Sequence, residues 1–304
     1  MRAIRQYEFG GPSTLRYEED VPDPVPGPDE VLIEVAACGV HLIDASLREG
    51  RQPGPPLPEL PCTPGREVAG VLAGSGQRVV AHLGPGGGGY ASLAVAPASS
   101  VHSVPAQLSF PDAVALVGTG RTALAILEDA RLRPSDVVLI PGAAGGLGTL
   151  LCQAAQTAGA MVVGLAGGPA KAARVTADLV IDYSEPGWIG QVPDATVLLD
   201  GTGGPIGRAL FERVRPGGRA VLFGWSSGAP FDFGVWDLYR LGLTVSCSIG
   251  ARMATRPGGL QGLAAAALVQ PWTPVTTTFP LAEAAAAHEA MESRTTIGKT
   301  VLLP

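Results

Sequence analysis

The central part of the chain alternates short apolar runs with segments of helical pattern. The runs have the length of strands and lie at residues 137–140, 161–165, 179–181, 196–199, 219–223 and 243–247. Residues 147–159, between the first two runs, have a helical pattern that ends at Gly159. Strands that are apolar throughout are buried on both faces, which is typical of a parallel sheet covered by helices. The pattern therefore predicts a doubly wound α/β domain over residues 115–250.

The two ends of the chain have a different pattern. Apolar runs bounded by Gly or Pro predict strands at residues 31–35, 67–72 and 78–81. Residues 53–64 and 84–89 are too rich in Pro or Gly for regular structure and predict loops. Helical patterns follow at residues 112–117, 122–130, 258–269 and 281–293, and a last strand at 300–303. We expect a β-rich domain over residues 1–114 and a separate closing segment over 251–304.

Composition narrows the classes of function. The 304 residues are 46% hydrophobic and 16% charged, which indicates a globular protein of two domains. A net charge of −6 without a Lys/Arg cluster argues against nucleic acid and membrane surfaces and favours a small-molecule partner. No run reaches the roughly 18 apolar residues of a spanning helix, so we expect a cytoplasmic protein. The cysteines form no CxxC pair, which predicts buried free thiols at Cys38, Cys62, Cys152 and Cys247.

A glycine-rich motif follows the first strand of the central domain. Residues 141–148 read PGAAGGLG, which is G-x-G-x-x-G with Ala143 at the first glycine position. Such glycines permit a tight turn and close approach of a pyrophosphate, which binds the N–H groups at the helix N-terminus. Its place between a strand and a helix predicts a Rossmann dinucleotide site, although a turn without ligand is an alternative. The predicted cofactor residues are Ala143, Gly145, Gly146, Leu147 and Gly148.

The residues after the second strand favour NADP(H) over NAD(H). NAD sites carry an acid there that accepts hydrogen bonds from the ribose 2′-OH. Residues 166–171 read AGGPAK and contain no acid, and Lys171 and Arg174 bring positive charge for a 2′-phosphate. The alternative is that Lys171 is an ordinary solvated helix residue.

Short motifs occur in one order along nearly the whole chain. They are VAACGVH at 35–41 with Asp44, PGREVAG at 64–70, GGYA at 88–91, the motif at 143–148, IDY at 181–183, FGWSSG at 223–228 and GKTVL at 298–302. Together they resemble the zinc-independent quinone oxidoreductases of the medium-chain dehydrogenase/reductase superfamily. The resemblance implies a GroES-like catalytic domain formed by both chain ends, an inserted Rossmann domain, and a cleft that holds NADPH and substrate. It also implies hydride transfer to a quinone or an α,β-unsaturated carbonyl compound.

The same resemblance bears on whether the protein binds a catalytic zinc ion. Zinc-dependent relatives have Cys in place of His41, His in place of Arg66, and a further Cys near residues 118–120. A catalytic zinc usually has three protein ligands, and two of these three positions cannot supply one. We expect no metal. An alternative zinc site would be built from Cys38, His41, Cys62 and Glu67, beside the positive charge of Arg66.

Without a Lewis acid, the conjugation of the acceptor must spread the developing charge, and orientation supplies most of the catalysis. A histidine titrates near neutrality, which makes His41 the candidate proton donor at the family's cleft position. The alternative is that His41 only positions the substrate. Asp44 is expected to orient the same loop.

Further cofactor contacts are implied by the resemblance, at Thr122, Gly146, Leu147, Lys171, Tyr183, Phe223, Ser226 and Ile249. The phenol of Tyr183 would reach the adenosine phosphate, or Tyr183 is an ordinary rim aromatic. Four aromatics either wall the acceptor site or pack within the domain: Phe231, Phe233, Trp236 and Tyr239. Where the family usually has an aromatic residue, residues 52–55 read QPGP, which leaves the acceptor open.

Two other functions are compatible with these residues. One is an enoyl reductase for a natural-product or acyl intermediate, and the other is an NADPH-binding protein without turnover. Residues 243–249 form a β-prone segment without Lys, Pro or charge, which predicts an edge strand. The resemblance implies that this edge pairs with the same strand of a second subunit in a homodimer. The alternative is that the C-terminal helix of the same chain covers it.

Overall fold

The computed structural model describes residues 1–51 and 56–304, so the QPGP segment lies outside the described residues. The strands are β1 (Ala3–Gln6), β2 (Leu15–Glu18), β3 (Glu30–Gly39), β4 (Glu67–Leu72), β5 (Arg78–His82), β6 (Leu93–Pro97), β7 (Val101–Ser103), β8 (Val137–Pro141), β9 (Met161–Ala166), β10 (Leu179–Asp182), β11 (Ala195–Asp200), β12 (Val214–Leu222), β13 (Thr244–Cys247), β14 (Thr276–Pro280) and β15 (Lys299–Leu303). The α-helices are α1 (Leu42–Arg48), α2 (Phe110–Ala115), α3 (Arg121–Ala130), α4 (Gly146–Thr157), α5 (Pro169–Ala172), α6 (Gly204–Phe211), α7 (Val235–Leu241), α8 (Ala251–Ala254), α9 (Gly259–Leu268) and α10 (Ala284–Glu292).

The chain divides into two compact units. Unit 1 comprises residues 1–119, 264–270 and 274–304, and unit 2 comprises residues 120–263 and 271–273. Unit 2 therefore begins at residue 120 and not at the expected 115, and the main return to unit 1 falls at residue 264 and not at 251.

Unit 1 is built on a seven-stranded sheet in which β3 is the central strand. The order is β14-β15-β3-β4-β5-β7, and β6 pairs with the first half of β3. Gly39, at the end of β3, is paired with Glu67 of β4 on one side and with Val301 of β15 on the other. The two chain ends therefore meet in one sheet. A separate hairpin, β1–β2, packs Ile4 and Leu15 against Tyr90 in the core of this unit.

Unit 2 is the expected Rossmann domain. Its six strands are all parallel and run in the order β10-β9-β8-β11-β12-β13. Counted from β8 this is the order 3-2-1-4-5-6, whose direction reverses between β8 and β11. Buried side chains of the sheet and of α6, such as Leu139, Val163, Leu198 and Phe211, form its core. The fully apolar strands are explained by this burial.

Two strands are longer than their apolar patterns predict. β3 extends to Gly39 through Ala36, Ala37 and Cys38, because its last three residues are buried and the end of the strand pairs with both β4 and β15. β12 begins at Val214 rather than at residue 219 and continues through Pro216 and Gly217, where φ is +80° and the pairing with β11 shifts register. A Pro-Gly pair is typical of turns, and here it lies within an irregular part of the strand.

Helices α2 and α3 are joined by a π-helical turn, Leu116–Gly120. The continuous stretch Phe110–Ala130 is, among the described residues, long and apolar enough to cross a membrane by length and composition. Of its most apolar window, 61% is buried inside the protein, as in a core helix.

The cysteine prediction was wrong for two of four residues. All four thiols are free, and Cys38 and Cys152 are buried, but Cys62 is half-buried and Cys247 is exposed. Cys247 lies on β13, the outermost strand of its sheet, which explains its exposure. Burial raises the pKa of both Cys38 and Cys152 to about 12, so these two thiols are protonated and unreactive at neutral pH.

Candidate active site

The predicted cofactor residues of unit 2 lie along one edge of its sheet. Apart from Thr122, which is in the first turn of α3, each follows the carboxyl end of a strand. Residues 143–148 follow β8, Lys171 follows β9, Tyr183 follows β10, Phe223 and Ser226 follow β12, and Ile249 follows β13. In open α/β sheets, ligands bind outside the carboxyl ends of the strands, where the strand order reverses. The structure thus brings these residues to the edge at which such sheets bind dinucleotides.

The turn between β8 and α4 has the geometry of a dinucleotide cradle. Gly142 has φ of +69°, and a Cβ on Gly148 would lie 2.2 Å from the Gly142 carbonyl oxygen, so α4 packs directly on the turn. Gly145 is the N-cap of α4 and supplies no side-chain cap for the first-turn N–H groups. Gly145, Gly146 and Leu147 are partly exposed there, whereas Ala143 and Gly148 are buried. The exposed backbone of this turn fits the pyrophosphate of a dinucleotide.

The end of β9 is organised by the neighbouring strand β10. The ring of Tyr183 covers Gly167, where a Cβ would lie 2.7 Å from the tyrosine Cε2. Asp182 Oδ1 accepts hydrogen bonds from the Gly168 N–H (2.8 Å) and from both the N–H and the hydroxyl of Ser184. These three bonds, those to Ser184 foremost, lower the pKa of Asp182. The segment after β9 contains no acid, but β10 contributes this carboxylate to the same place. The bonds to Gly168 and Ser184 occupy one of its two oxygens.

Asp200 organises the loop after β11, beside the cradle. Its carboxylate is fully buried and accepts hydrogen bonds from the N–H groups of Thr202 (2.7 Å) and Gly203 (3.1 and 3.2 Å). Burial raises its pKa to about 6, against these bonds. The backbone of Asp200 and Gly201 in turn holds the predicted residues, since the Phe223 N–H donates to Asp200 O (2.9 Å) and the Ser226 N–H to Gly201 O (3.0 Å).

The four aromatics after β12 separate into two pairs. Phe231 and Phe233 pack on Phe211, with ring centroids 5.2 and 5.8 Å apart. Trp236 and Tyr239 stack on each other at 5.3 Å and are exposed on α7. The first pair serves packing within unit 2.

In unit 1, His41 is held at the end of β3 in contact with two buried charges. It is the N-cap of α1, and the Asp44 carboxylate accepts a hydrogen bond from its backbone N–H (2.9 Å). On the ring, Nε2 contacts Glu67 Oε2, and Lys299 Nζ lies 2.6 Å from the same nitrogen and 3.3 Å from Glu67 Oε2. The His41 side chain is 23% exposed, whereas those of Glu67 and Lys299 are 1% and 6% exposed.

The two charges of this cluster respond oppositely to burial. Burial alone would raise the pKa of Glu67, but the charges of His41 and Lys299 hold it well below its usual value. Burial lowers the pKa of Lys299, although Glu67 and Asp44 oppose this. Glu67 is therefore a fixed anion, and Lys299 is a cation that gives up its proton more readily than a solvated lysine.

Two glycines make room for the Glu67 carboxylate. A Cβ on Gly118 would lie 1.6 Å from Glu67 Oε1, and a Cβ on Gly39 would lie 2.7 Å from Oε2 and 3.3 Å from Lys299 Cε. Gly118 belongs to the π-helical turn, an element that often marks functional positions. Any side chain at either position would displace the carboxylate.

A second buried chain of hydrogen bonds ends on Asp44. Arg48 Nη1 donates to His288 Nδ1 (3.1 Å), so Nε2 of this ring carries the proton and donates to the Tyr90 hydroxyl oxygen (3.1 Å). The Tyr90 hydroxyl donates to Asp44 (3.2 Å), as does Arg66 Nε (3.2 Å). Burial lowers the pKa of His288 to about 4, which keeps the ring neutral at pH 7. Asp44 thus lies in a position to orient His41.

The residues present do not fit a zinc ion. No group of three His, Cys, Asp or Glu side chains that could hold a metal occurs in residues 1–51 and 56–304. The Lys299 ammonium lies against His41 and Glu67, and the Arg66 guanidinium lies against Asp44, so cations of the chain already face these ligand types.

Sequence reasoning did not assign Lys299 a role and considered Glu67 only as a metal ligand. Two signals were available. Lys299 is one of only two lysines and opens a largely apolar strand, and Glu67 opens another apolar strand. A charged residue at a buried strand end needs a partner, but the sequence does not show that β3 places these two side by side.

Two domain models match the chain. The alcohol dehydrogenase GroES-like domain matches residues 27–106, and the model described as zinc-binding dehydrogenase matches residues 175–302. The quinone oxidoreductase of Sus scrofa is 32% identical, over 100% of this chain and 98% of its own. Quinone oxidoreductase 1 of Escherichia coli strain K12 is 30% identical, over 99% of both chains.

Solved structures give the same result. The quinone oxidoreductase of Thermus thermophilus, also solved as a complex with NADPH, has a TM-score of 0.84 and 30% identity over 100% of both chains. The Escherichia coli quinone oxidoreductase, solved with NADPH, has a TM-score of 0.84 and 27% identity over 100% of both chains. A GroES-like domain with a Rossmann domain defines the class of medium-chain dehydrogenases/reductases, and this fold is confirmed. Within that class, the chain belongs to the quinone oxidoreductase family and is an oxidoreductase, not a binding protein without turnover.

Proposed function

We propose that the protein is an NADPH-dependent, metal-independent reductase that transfers a hydride to a quinone or an α,β-unsaturated carbonyl compound. The observation that carries this proposal is the cluster of His41, Glu67 and Lys299. It offers a proton donor, His41, at a position where zinc-dependent relatives have a cysteine, and it places the cation of Lys299 against that donor. Without a Lewis acid, the acceptor itself must delocalise the charge that hydride addition creates, as quinones and enones do.

The edge of the unit 2 sheet would hold the cofactor. The first-turn N–H groups of α4 would bind the pyrophosphate, and Lys171 with Tyr183 would contact the 2′-phosphate of the adenosine. When bound, NADPH supplies the hydride. The structures of relatives solved with NADPH support the choice of NADP(H).

The chain itself supplies position and a proton. Asp44 fixes the backbone of His41 at the start of α1, and the buried chain from Arg48 to Tyr90 fixes Asp44. His41 donates the proton that completes reduction of the acceptor.

A turnover panel tests the proposal. The protein, NADPH and an equal concentration of a simple quinone, cyclohex-2-enone or an enoyl thioester are mixed, and NADPH oxidation is followed with product analysis. We expect reduction of the quinone, the enone or both. Turnover of the enoyl thioester alone would identify an acyl enoyl reductase, and no turnover of any acceptor would refute the proposal.

Metal independence has its own measurement. Protein purified without added zinc is expected to contain well under one equivalent of metal, and a chelator should leave turnover unchanged, because the cations of Lys299 and Arg66 face the potential ligands. A stoichiometric zinc whose removal abolishes turnover would contradict this.

The proposal includes a cytoplasmic homodimer that acts on small molecules, without nucleic acid or membrane as partner. The four free thiols suit a reducing compartment, and the open edge of β13 suits a second subunit.

A further inference from the structure

Nε2 of His41 contacts both Lys299 and Glu67, and this one nitrogen cannot form a hydrogen bond to each of them at the same time. Lys299 Nζ only donates hydrogen bonds while it is an ammonium, and the ionised carboxylate of Glu67 only accepts them. Both lie against Nε2, with Nζ at 2.6 Å. A neutral imidazole carries one proton on either nitrogen. Nε2 therefore accepts from Lys299 in one tautomer and donates to Glu67 in the other.

The second ring nitrogen of His41, Nδ1, takes part in neither of these two contacts. The bonds that the structure records for the His41 ring within residues 1–51 and 56–304 all involve Nε2. The ring is the most exposed member of the cluster, at 23% against 1% and 6% for its partners. Nδ1 is therefore the ring nitrogen left for a substrate, because Nε2 already contacts Lys299 and Glu67.

We propose that Lys299 is the proton source of the reaction and that His41 relays its proton to the substrate by changing tautomer. This rests on the proposed function. As the anion left by hydride addition takes the proton from Nδ1, the Nδ1–H bond breaks. A proton passes at the same time from Nζ to Nε2. The imidazole remains neutral and now donates from Nε2 to Glu67, and Lys299 is left as an amine that regains its proton from water.

The charges around the cluster suit this transfer. Glu67, Asp44 and Arg66 face Lys299, and His82 of β5 faces Glu67 from the adjacent strand. Two carboxylates thus keep Lys299 protonated at rest, and its burial together with Arg66 favours release of the proton. Glu67 stays an anion throughout and receives the Nε2–H bond at the end. If Lys299 supplies the proton, its removal and its replacement by a cation that cannot lose a proton should lower kcat to different extents.

Two substitutions of Lys299 separate a relay from a fixed charge. Arg keeps its proton at all working pH values, so Lys299→Arg should lower kcat for cyclohex-2-enone roughly 100-fold. Lys299→Met leaves Nε2 of His41 without a permanent donor, so His41 can still change tautomer and this variant should keep more activity than Lys299→Arg. Were Lys299 only a fixed charge, Arg would restore activity better than Met, and that order would overturn the relay.

A second background controls for damage to the fold. In the presence of His41→Asn, which cannot relay, the Arg and Met variants of Lys299 should have equal kcat. A difference that persists would show that Lys299 acts through another route. Each variant should bind NADPH with unchanged affinity, since unit 2 is unaltered.

The wild-type protein permits a test without turnover. The four histidines are labelled with ¹⁵N, and the His41 ring is identified by its loss in His41→Asn. At pH 8, we expect a protonated Nδ1 and a bare Nε2, and a resting ring with its proton on Nε2 would overturn the relay. Because this measurement needs no acceptor, it decides on the relay even if the acceptor panel shows no turnover and refutes the proposed function.

Discussion

Under the proposed function, Lys171 is the cationic side chain that we expect to bind the 2′-phosphate of NADPH. It lies in α5, directly after the carboxyl end of β9, and the ring of Tyr183 lies over the adjoining Gly167. A charge-assisted hydrogen bond contributes about 1.5–3 kcal/mol. Lys171→Ala should therefore weaken NADPH binding roughly 10-fold or more and leave NADH binding unchanged.

Fluorescence or calorimetric titration with both cofactors checks this. Lys171→Arg, which keeps the charge, is the matched control and should retain the preference. An equal loss for NADPH and NADH in Lys171→Ala would show that this lysine does not contact the 2′-phosphate.

At the same scale, some site residues could be predicted and others could not. The residues 143–148 follow from a local pattern, because a turn between a strand and a helix depends on glycines that the sequence displays. The contact of Lys299 with His41 joins positions 258 residues apart, and only the pairing of β15 with β3 creates it. The bond that Asp182 makes to Gly168 comes from a neighbouring strand for the same reason. Local patterns do not contain such contacts.

The element with the clearest consequence for assembly is β13. It pairs with β12 on one side, and no strand of the described chain pairs with its other side. The Ser248 N–H donates to Leu222 O on β12, so the alternation along the strand turns the Val245 N–H toward the open side. Val245→Pro therefore removes an outward donor and leaves the ladder to β12 intact.

We expect Val245→Pro to be monomeric in sedimentation velocity while the wild type is dimeric. Val245→Thr keeps both the N–H and the branched side chain and should remain dimeric. A wild type that is monomeric at micromolar concentration would contradict pairing through this edge.

Elements were predictable where burial is uniform and less so where it changes along the chain. Apart from β12, the parallel strands of unit 2 lie close to their apolar runs, since both faces of that sheet are covered. The helical patterns at 112–117 and 122–130 are one continuous helical stretch, because the turn at Leu116–Gly120 is a π-helix that carries Gly118 against Glu67. Strand β14 was missed since its Thr-rich sequence has no apolar run.

At the scale of the whole molecule, the two units should respond oppositely to acid. Burial raises the pKa of Asp200 in unit 2 from 3.8 to about 6. The neutral carboxyl group therefore adds to the free energy of unfolding below about pH 4, and this contribution is lost as the pH rises through 6. Burial lowers the pKa of His288 in unit 1 from 6.5 to about 4. The neutral ring therefore adds to the free energy of unfolding above pH 6.5, and this contribution is lost as the pH falls through 4. Each of these two pKa shifts contributes at most roughly 3 kcal/mol to the free energy of unfolding.

Separate probes can follow the two units. All four tryptophans, at 188, 225, 236 and 272, belong to unit 2. Between pH 7 and pH 4.5, the urea midpoint from tryptophan fluorescence should rise, and hydrogen-exchange protection of β3 and β4 in unit 1 should fall. Asp200→Asn should remove the first trend and His288→Gln the second. Parallel trends in both probes that persist in both variants would contradict the assignment.

The pairing of β15 with β3 also determines the order in which the two units can fold during synthesis. On the ribosome, residues 120–263 emerge as one uninterrupted segment, so nearly all of unit 2 is available before β15 has been synthesised. The first 119 residues, although translated earlier, lack the strand that completes their sheet and brings Lys299 to His41. The sheet of unit 1 is therefore completed only after unit 2 has been synthesised, and a chain whose synthesis stops just before β15 would carry unit 2 attached to an incomplete sheet with an exposed edge.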